Sequence, residues 1–106
     1  MNGTRGEIWY VSPDLPTVGF EQGKDRPCLI VQPNDMDRLH TTIVVPLTSH
    51  GFPAPFRIPT TFGSSKYVLC DHIRAIDRRR LRRFAGNIDA GELADVLRTL
   101  AAIFSP

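Results

Sequence analysis

The stretch Glu21 to Gln32, EQGKDRPCLIVQ, turns within two residues from charge and glycine to an apolar run. Its Arg26 stands directly before Pro27, and proline pushes the residue before it out of the α region toward extended backbone. An arginine fixed where a loop enters a strand suits an anionic oxygen ligand, because its planar fork donates two hydrogen bonds and never loses its charge. Loop rims of this kind often carry function; the plain alternative is a surface arginine on a solvated turn. Thr48, Ser49 and His50 follow Pro46 and place two hydroxyls beside an imidazole. His40, His50 and His72 each invite a general-base role. His50 is nearest to Thr48 and Ser49, in the turn-like stretch TSHGFPAP, where histidine is commonly just solvated. Asp71 lies within an apolar run, where a carboxylate without partners is costly to bury. Arg74 or Arg26 could pair with it, or it could be a structural hydrogen-bonding residue at a strand end.

Other chemistries lack their residues. There is no glycine-rich phosphate loop, no Ser-His-Asp order and no pair of metal ligands, so neither metal nor cofactor is called for. Cys28 and Cys70 fall in strand-like runs outside any Cys-x-x-Cys pair, and read as buried free thiols. The N-terminus, MNGTRGEIWY, has no apolar signal core and no run is long enough to span a membrane, which points to the cytoplasm and away from membranes. Six of the thirteen basic residues lie between Arg74 and Arg83, where Asp77 is the lone acid. That field suits an anionic partner, nucleic acid or an acidic protein segment, and is equally the pattern of a solvated face.

The elements that must position these groups follow from patterning. A chain of 106 residues makes one domain, 1–106. Gly6 to Ser12 alternates as a first strand, and Pro13 to Asp25 is a long loop with two prolines and two glycines. PCLIVQ is a second strand, PNDMDRLH a turn-rich connector, and TTIVVPLTS a third strand whose Pro46 must lie near its end or at a sheet edge. Phe56 to Phe62 reads as a weak fourth strand, KYVLCDHIRAI as a fifth, DRRRLRR as a polar helical turn carrying Leu81 inward, and FAGNI as a last short strand. From Asp89 the apolar residues Leu93, Val96, Leu97, Leu100, Ile103 and Phe104 have helical spacing, with Asp89 and Glu92 placed as a capping box. The sum is a small α+β domain: a curled antiparallel sheet capped by a terminal helix.

The segments RGEIWYV, GFEQGKDRPCLIVQ, VVPLTS and VLCDHIRAIDRRRL resemble, in order and spacing, the MazF/PemK (Kid-like) family of endoribonuclease toxins from bacterial toxin–antitoxin modules. The likeness runs from Arg5 to Ile103. It implies a compact SH3-like antiparallel barrel of CcdB/PemK type with a C-terminal helix, acting as a homodimer. It also implies metal-independent cleavage of single-stranded RNA at preferred sequences and inhibition by a cognate antitoxin with an acidic, flexible segment. Carried over residue by residue, the family's catalytic arginine and threonine are Arg26 and Thr48. Asp71 matches an acidic position in or near catalysis, and Glu21 and Gln22 match a loop pair shaping the substrate groove. Departures fall in the same places. Phe20 replaces a serine and Lys24 a glycine in that loop, and Leu69 stands where some members have an arginine, leaving Arg74 as the nearest substitute.

These types fit the reaction. An RNA 2′-hydroxyl is a latent nucleophile beside its own phosphodiester, and cleavage needs a base, charge stabilisation at phosphorus and a proton for the leaving 5′-oxygen. Arg26 would hold the charge, Thr48 would hydrogen-bond a phosphate oxygen or orient the nucleophile, and Asp71 or Glu21 would serve as base if burial raised its pKa. Lys24, Ser49 and Arg74 would contact RNA, with Phe20 and Phe52 as stacking candidates. Two other readings compete: a CcdB-like toxin that binds gyrase without cutting RNA, although this chain lacks a C-terminal Trp-Gly-Ile, and a barrel-type interaction module without catalysis.

Overall fold

The computed structural model describes residues 3–13 and 24–106. Strand β1 (Glu7–Val11) pairs antiparallel with β2 (Arg26–Ile30) on one side and with β7 (Leu81–Asn87) on the other, and β2 pairs with β3 (Thr41–Thr48). The far side of β3 takes two partners in turn: β6 (Arg74–Asp77) along its first half, and β5 (Tyr67–Leu69) near its end. Strand β4 (Arg57–Pro59) lies outside β5, and the helix α1 (Ala90–Ile103) closes the chain.

Connectivity forces the sheet to curl. Strands β6 and β7 sit on opposite flanks of β3-β2-β1, yet only the 3₁₀ turn Arg78–Arg80 separates them in sequence. Ile76 from one flank and Leu81 from the other consequently pack into one cluster with Trp9, Val11, Cys28, Ile30 and Val44. The opposite face buries Ile8, Leu29, Val45, Leu47 and Val68 against Val96 and Leu100 of α1. Alternation along each strand divides the apolar side chains between these two cores. The expected barrel with a terminal helix is what forms.

The arginine run secures that closure. Asp77 caps the turn by accepting from the Arg79 backbone N–H at 2.8 Å and from its guanidinium at 3.1 and 2.9 Å. Arg78 donates to the Leu39 carbonyl at 2.9 Å and Arg80 to the Ser12 carbonyl at 3.0 Å. The guanidinium of Arg83 lies 4.2 Å over the Tyr10 ring. Much of this charge is therefore engaged in the fold as staples.

Two strand expectations need correction. The fifth strand is not continuous: between Leu47↔Val68 and Val44↔Arg74 its chain advances six residues while β3 advances three. The surplus is a 3₁₀ turn, Cys70–His72, so Asp71 stands on this turn and not within a strand. Pro46 falls opposite the break. The Ile43 carbonyl accepts from Val31 and that of Thr48 from Lys66, so even-numbered β3 positions direct their backbone toward β5 and β6. A missing N–H at Pro46 thus meets a gap in the ladder. The last strand also starts at Leu81, ahead of the expected FAGNI, because Arg83 and Phe84 pair with Tyr10 and Trp9.

Helix α1 begins where expected, with the Asp89 half of the capping box formed: its carboxylate accepts from the Glu92 N–H at 3.1 Å, while the Glu92 carboxylate accepts from Thr60 and Thr61 and not from Asp89. Val96 and Leu100 are buried, whereas Phe104 at the end of the stripe is 67% exposed.

Candidate active site

Arg26 opens β2 and Thr48 ends β3, and the register explains how they meet. Cys28 faces Pro46 and Leu29 faces Val45; continuing that register brings Arg26 level with Thr48. Both share the strand face of Cys28 and Val44, at one end of the smaller core. There they line an open cavity of about 370 Å³ together with Lys24, Ser49 and His50. Tyr10 from β1 and the turn Phe62 to Ser65 between β4 and β5 complete its walls.

The polar groups on this wall are arranged to receive an anion. Lys24 and Arg26 supply cationic donors, with Asp25 between them in sequence. The Thr48 hydroxyl accepts from the His50 backbone N–H at 3.2 Å. Its own proton is thereby left to donate, the role a threonine beside a phosphate oxygen requires. Ser49 Oγ lies 3.1 Å from His50 Nδ1, which ties the imidazole to the same wall. The Lys66 N–H donates to the Thr48 carbonyl at 2.7 Å, anchoring the strand end that carries the hydroxyl.

Of the residues read from the sequence, Arg26, Thr48, Lys24, Ser49 and His50 come together here. Asp71 and Arg74 do not line the cavity. Asp71 is an exposed residue on its 3₁₀ turn, its carboxylate 3.5 Å from His72 Nε2, and Arg74 lies opposite Val44 on β6. Phe20, Glu21 and Gln22 lie outside the described residues. Sequence reading missed Tyr10 and the Phe62–Ser65 turn as walls, since only strand pairing brings them to Arg26. Phe62 had a local signal, because GSS after it announced the turn. Two residues beyond His50 in sequence, Phe52 is 65% exposed and the Arg57 guanidinium lies 4.6 Å over its ring.

Cys28, on the same face as Arg26, is buried, and its thiol is pushed up to about 11 by that burial, against the opposing charges of Arg74 and Arg26. It is a packing residue under the site, not a nucleophile in it.

Comparison with known proteins agrees with this geometry. Residues 4–104 match the family described as PemK-like, MazF-like toxin of type II toxin–antitoxin system. The endoribonuclease PemK of Escherichia coli is 42% identical over 82 residues, covering 71% of this chain and 61% of its own length. The endoribonuclease MazF9 of Mycobacterium tuberculosis is 35% identical, covering 87% of each chain. The crystal structure of MazE–MazF from Deinococcus radiodurans superimposes with a TM-score of 0.79 at 30% identity, over 94% of this chain and 93% of that one. With a matching family model over nearly its whole length and the barrel-and-helix fold beneath it, the chain belongs to the PemK-like, MazF-like toxins of type II toxin–antitoxin systems.

Proposed function

We propose that this chain is an endoribonuclease toxin that cuts single-stranded RNA by attack of a 2′-hydroxyl on its neighbouring phosphodiester. The observation that carries the reading is the shared cavity of Arg26 and Thr48, a guanidinium and a hydroxyl donor lining one open space of about 370 Å³. A bidentate arginine offsets the charge that grows on phosphorus, and a donor fixed in advance needs no reorganisation when that charge develops. Thr48 donates to a second oxygen, while Lys24, ahead of β2, and Ser49, just past β3, extend the polar lining beyond the strand ends.

Base recognition falls to the rim. The exposed Phe52, backed on one face by Arg57, offers its other face to an unstacked base. Glu21, Gln22 and Phe20 contribute from the loop that precedes Lys24. Arg74, opposite Val44 on β6 and outside the cavity lining, adds charge to the same sheet face. Asp71, paired with His72 outside the cavity lining, gains no geometric support as a base acting directly on that phosphate. The single domain 1–106 works as a homodimer in the cytoplasm and is silenced by a cognate antitoxin whose acidic flexible segment competes for these cations. No helix among the described residues is long and apolar enough to cross a membrane. The gyrase-binding alternative is set aside, since the curated relatives at 42% and 35% identity are both endoribonucleases.

The test is cleavage of a long single-stranded RNA by the purified protein in EDTA, with the new 5′ ends sequenced. Arg26→Ala is expected to cut at least about a hundredfold more slowly with an unchanged melting temperature, since Arg26 is exposed. An Arg26→Ala variant that cuts as fast as the parent removes the guanidinium from the mechanism.

A further inference from the structure

Arg26 and Thr48 account for charge but not for proton transfer. The ionisable side chains lining the cavity among the described residues are those of Tyr10, Lys24, Asp25, Arg26 and His50. By type, tyrosine, lysine and arginine hold their protons near neutral pH and aspartate is a weak base. Histidine alone changes charge between pH 5 and 8 without perturbation. His50 is also the one whose ring and backbone are both tied to the phosphate-side hydroxyls. Its N–H donates to Thr48 Oγ1 at 3.2 Å and its Nδ1 lies 3.1 Å from Ser49 Oγ.

We propose that His50 is a catalytic residue of the cleavage, acting as its general base; the proposal rests on the endoribonuclease reading above. With its Nδ1–H donating to Ser49 Oγ, the ring carries its free lone pair on Nε2. Nε2 takes the proton of the 2′-hydroxyl as O2′ bonds to phosphorus. The P–O5′ bond breaks with its electron pair on O5′, which takes a proton from water. The imidazolium then returns its proton to the hydroxide so formed. The products are a 2′,3′-cyclic phosphate and a 5′-hydroxyl, with no net gain or loss of protons. Ser49 is a positioning residue in this scheme, and Asp71 is relieved of the base role.

The charged and titratable groups around the imidazole come from several elements. Tyr10 lies on β1, and Lys24, Asp25 and Arg26 lead into and begin β2. From β4, Arg57 approaches Gly51, next to His50, closely enough that a Cβ there would sit 2.9 Å from its guanidinium. The ring of Tyr67 on β5 also borders Gly51.

The experiment measures kcat and KM from pH 5 to 9, in EDTA, on a defined single-stranded RNA bearing the site mapped for the parent protein. The parent rate is expected to rise through a limb between pH 5 and 8 and then level, since a base works unprotonated. His50→Gln is expected to lower kcat about a hundredfold, leave KM within about threefold and flatten the limb. Added imidazole is expected to restore part of the rate of His50→Ala, which a structural role would not allow. Ser49→Ala should lose less and keep the limb. A cleaving parent whose His50→Gln variant retains rate and limb overturns the proposal, as does transfer of the limb to Asp25→Asn. A parent that cuts no RNA defeats the endoribonuclease reading and this step with it.

Discussion

Glu92, in the first turn of α1, accepts a 2.6 Å hydrogen bond from the hydroxyl of Thr60, thirty-two residues away. Its second oxygen accepts from the Thr61 N–H at 3.0 Å and hydroxyl at 2.8 Å. A reciprocal capping box would have turned this carboxylate back on Asp89; here it reaches out and pins the segment after β4. Thr60 Oγ1 in turn accepts from the N–H of Phe62, a cavity wall. The start of the helix thus holds the wall facing Arg26 in place.

Glu92→Ala should therefore act on both stability and substrate binding. Thr60 is 8% exposed, and a buried hydroxyl deprived of its acceptor costs about 1–3 kcal/mol. A fall of several degrees in melting temperature is expected, about 5 °C per kcal/mol for a domain of this size. KM for RNA should rise more than kcat falls, because the wall and not the phosphate donors is loosened. Thermal unfolding alongside steady-state cleavage checks this, and a variant as stable as the parent contradicts it.

Phe52→Ala tests the rim. Stacking a base on an aromatic ring is worth about 1–3 kcal/mol, so KM should rise about tenfold or more with stability unchanged. Phe52→Tyr should retain most of the affinity, since it keeps the ring face. Equal binding of RNA by Phe52→Ala, measured by fluorescence anisotropy with a non-cleavable 2′-deoxy analogue, would return Phe52 to ordinary loop packing.

What the sequence disclosed here follows physical locality. The β1, β2 and β3 runs, the Asp89 cap and the apolar stripe to Leu100 were legible because strand alternation and helix spacing are local signals. The break at Cys70–His72 was not, since Val68, Leu69 and Cys70 have ordinary strand character and only the register against β3 shows three surplus residues. The start of β7, Leu81 to Arg83, was hidden for a related reason: a largely exposed, arginine-rich segment reads as a turn until Val11 and Tyr10 pair with it. At the site, Arg26 and Thr48 carried family-like motifs, whereas the Phe62–Ser65 turn reaches the cavity only through the β4–β5 hairpin. Asp71 was drawn toward the site by its place in an apolar run and its match to an acidic family position, and the 3₁₀ turn Cys70–His72 that carries it lies outside the cavity lining.

Asp77 gives the fold an acid-sensitive staple. Hydrogen bonds from the Arg79 side chain, then from its backbone, hold the Asp77 carboxyl at about 2, below its ordinary 3.8. A carboxyl whose folded pKa is depressed stabilises the fold above its unfolded value and ceases to as pH falls through the folded one. The contribution of Asp77 is therefore complete above pH 3.8 and lost on descent toward about 2. Asp77→Asn should flatten that part of the stability–pH profile, as measured by urea unfolding at stepped pH, and leave the neutral-pH dependence of RNA cleavage unchanged. A mutant profile parallel to the parent's across this window would show that the closing turn does not depend on this charge.

Cys28 and Cys70 provide a final probe, because burial pushes each thiol up to about 11. Reaction requires the thiolate and access, and both are denied in the native state, where Cys28 is 7% and Cys70 0% exposed. At pH 8, Ellman's reagent should label both thiols at once in guanidinium chloride and the native protein at least about a hundredfold more slowly, at a rate set by opening of the barrel. Cys28 lies two residues after Arg26 on the same strand face, so its labelling reports opening directly beneath the active site. Binding of the 2′-deoxy RNA analogue should slow Cys28 labelling further, since a ligand that binds only the closed form suppresses opening in proportion to its saturation. Cys70, beneath the helix, should slow to the same degree only if the two cores open as one unit. Fast stoichiometric labelling of either thiol in the folded protein would contradict the buried placement of that residue.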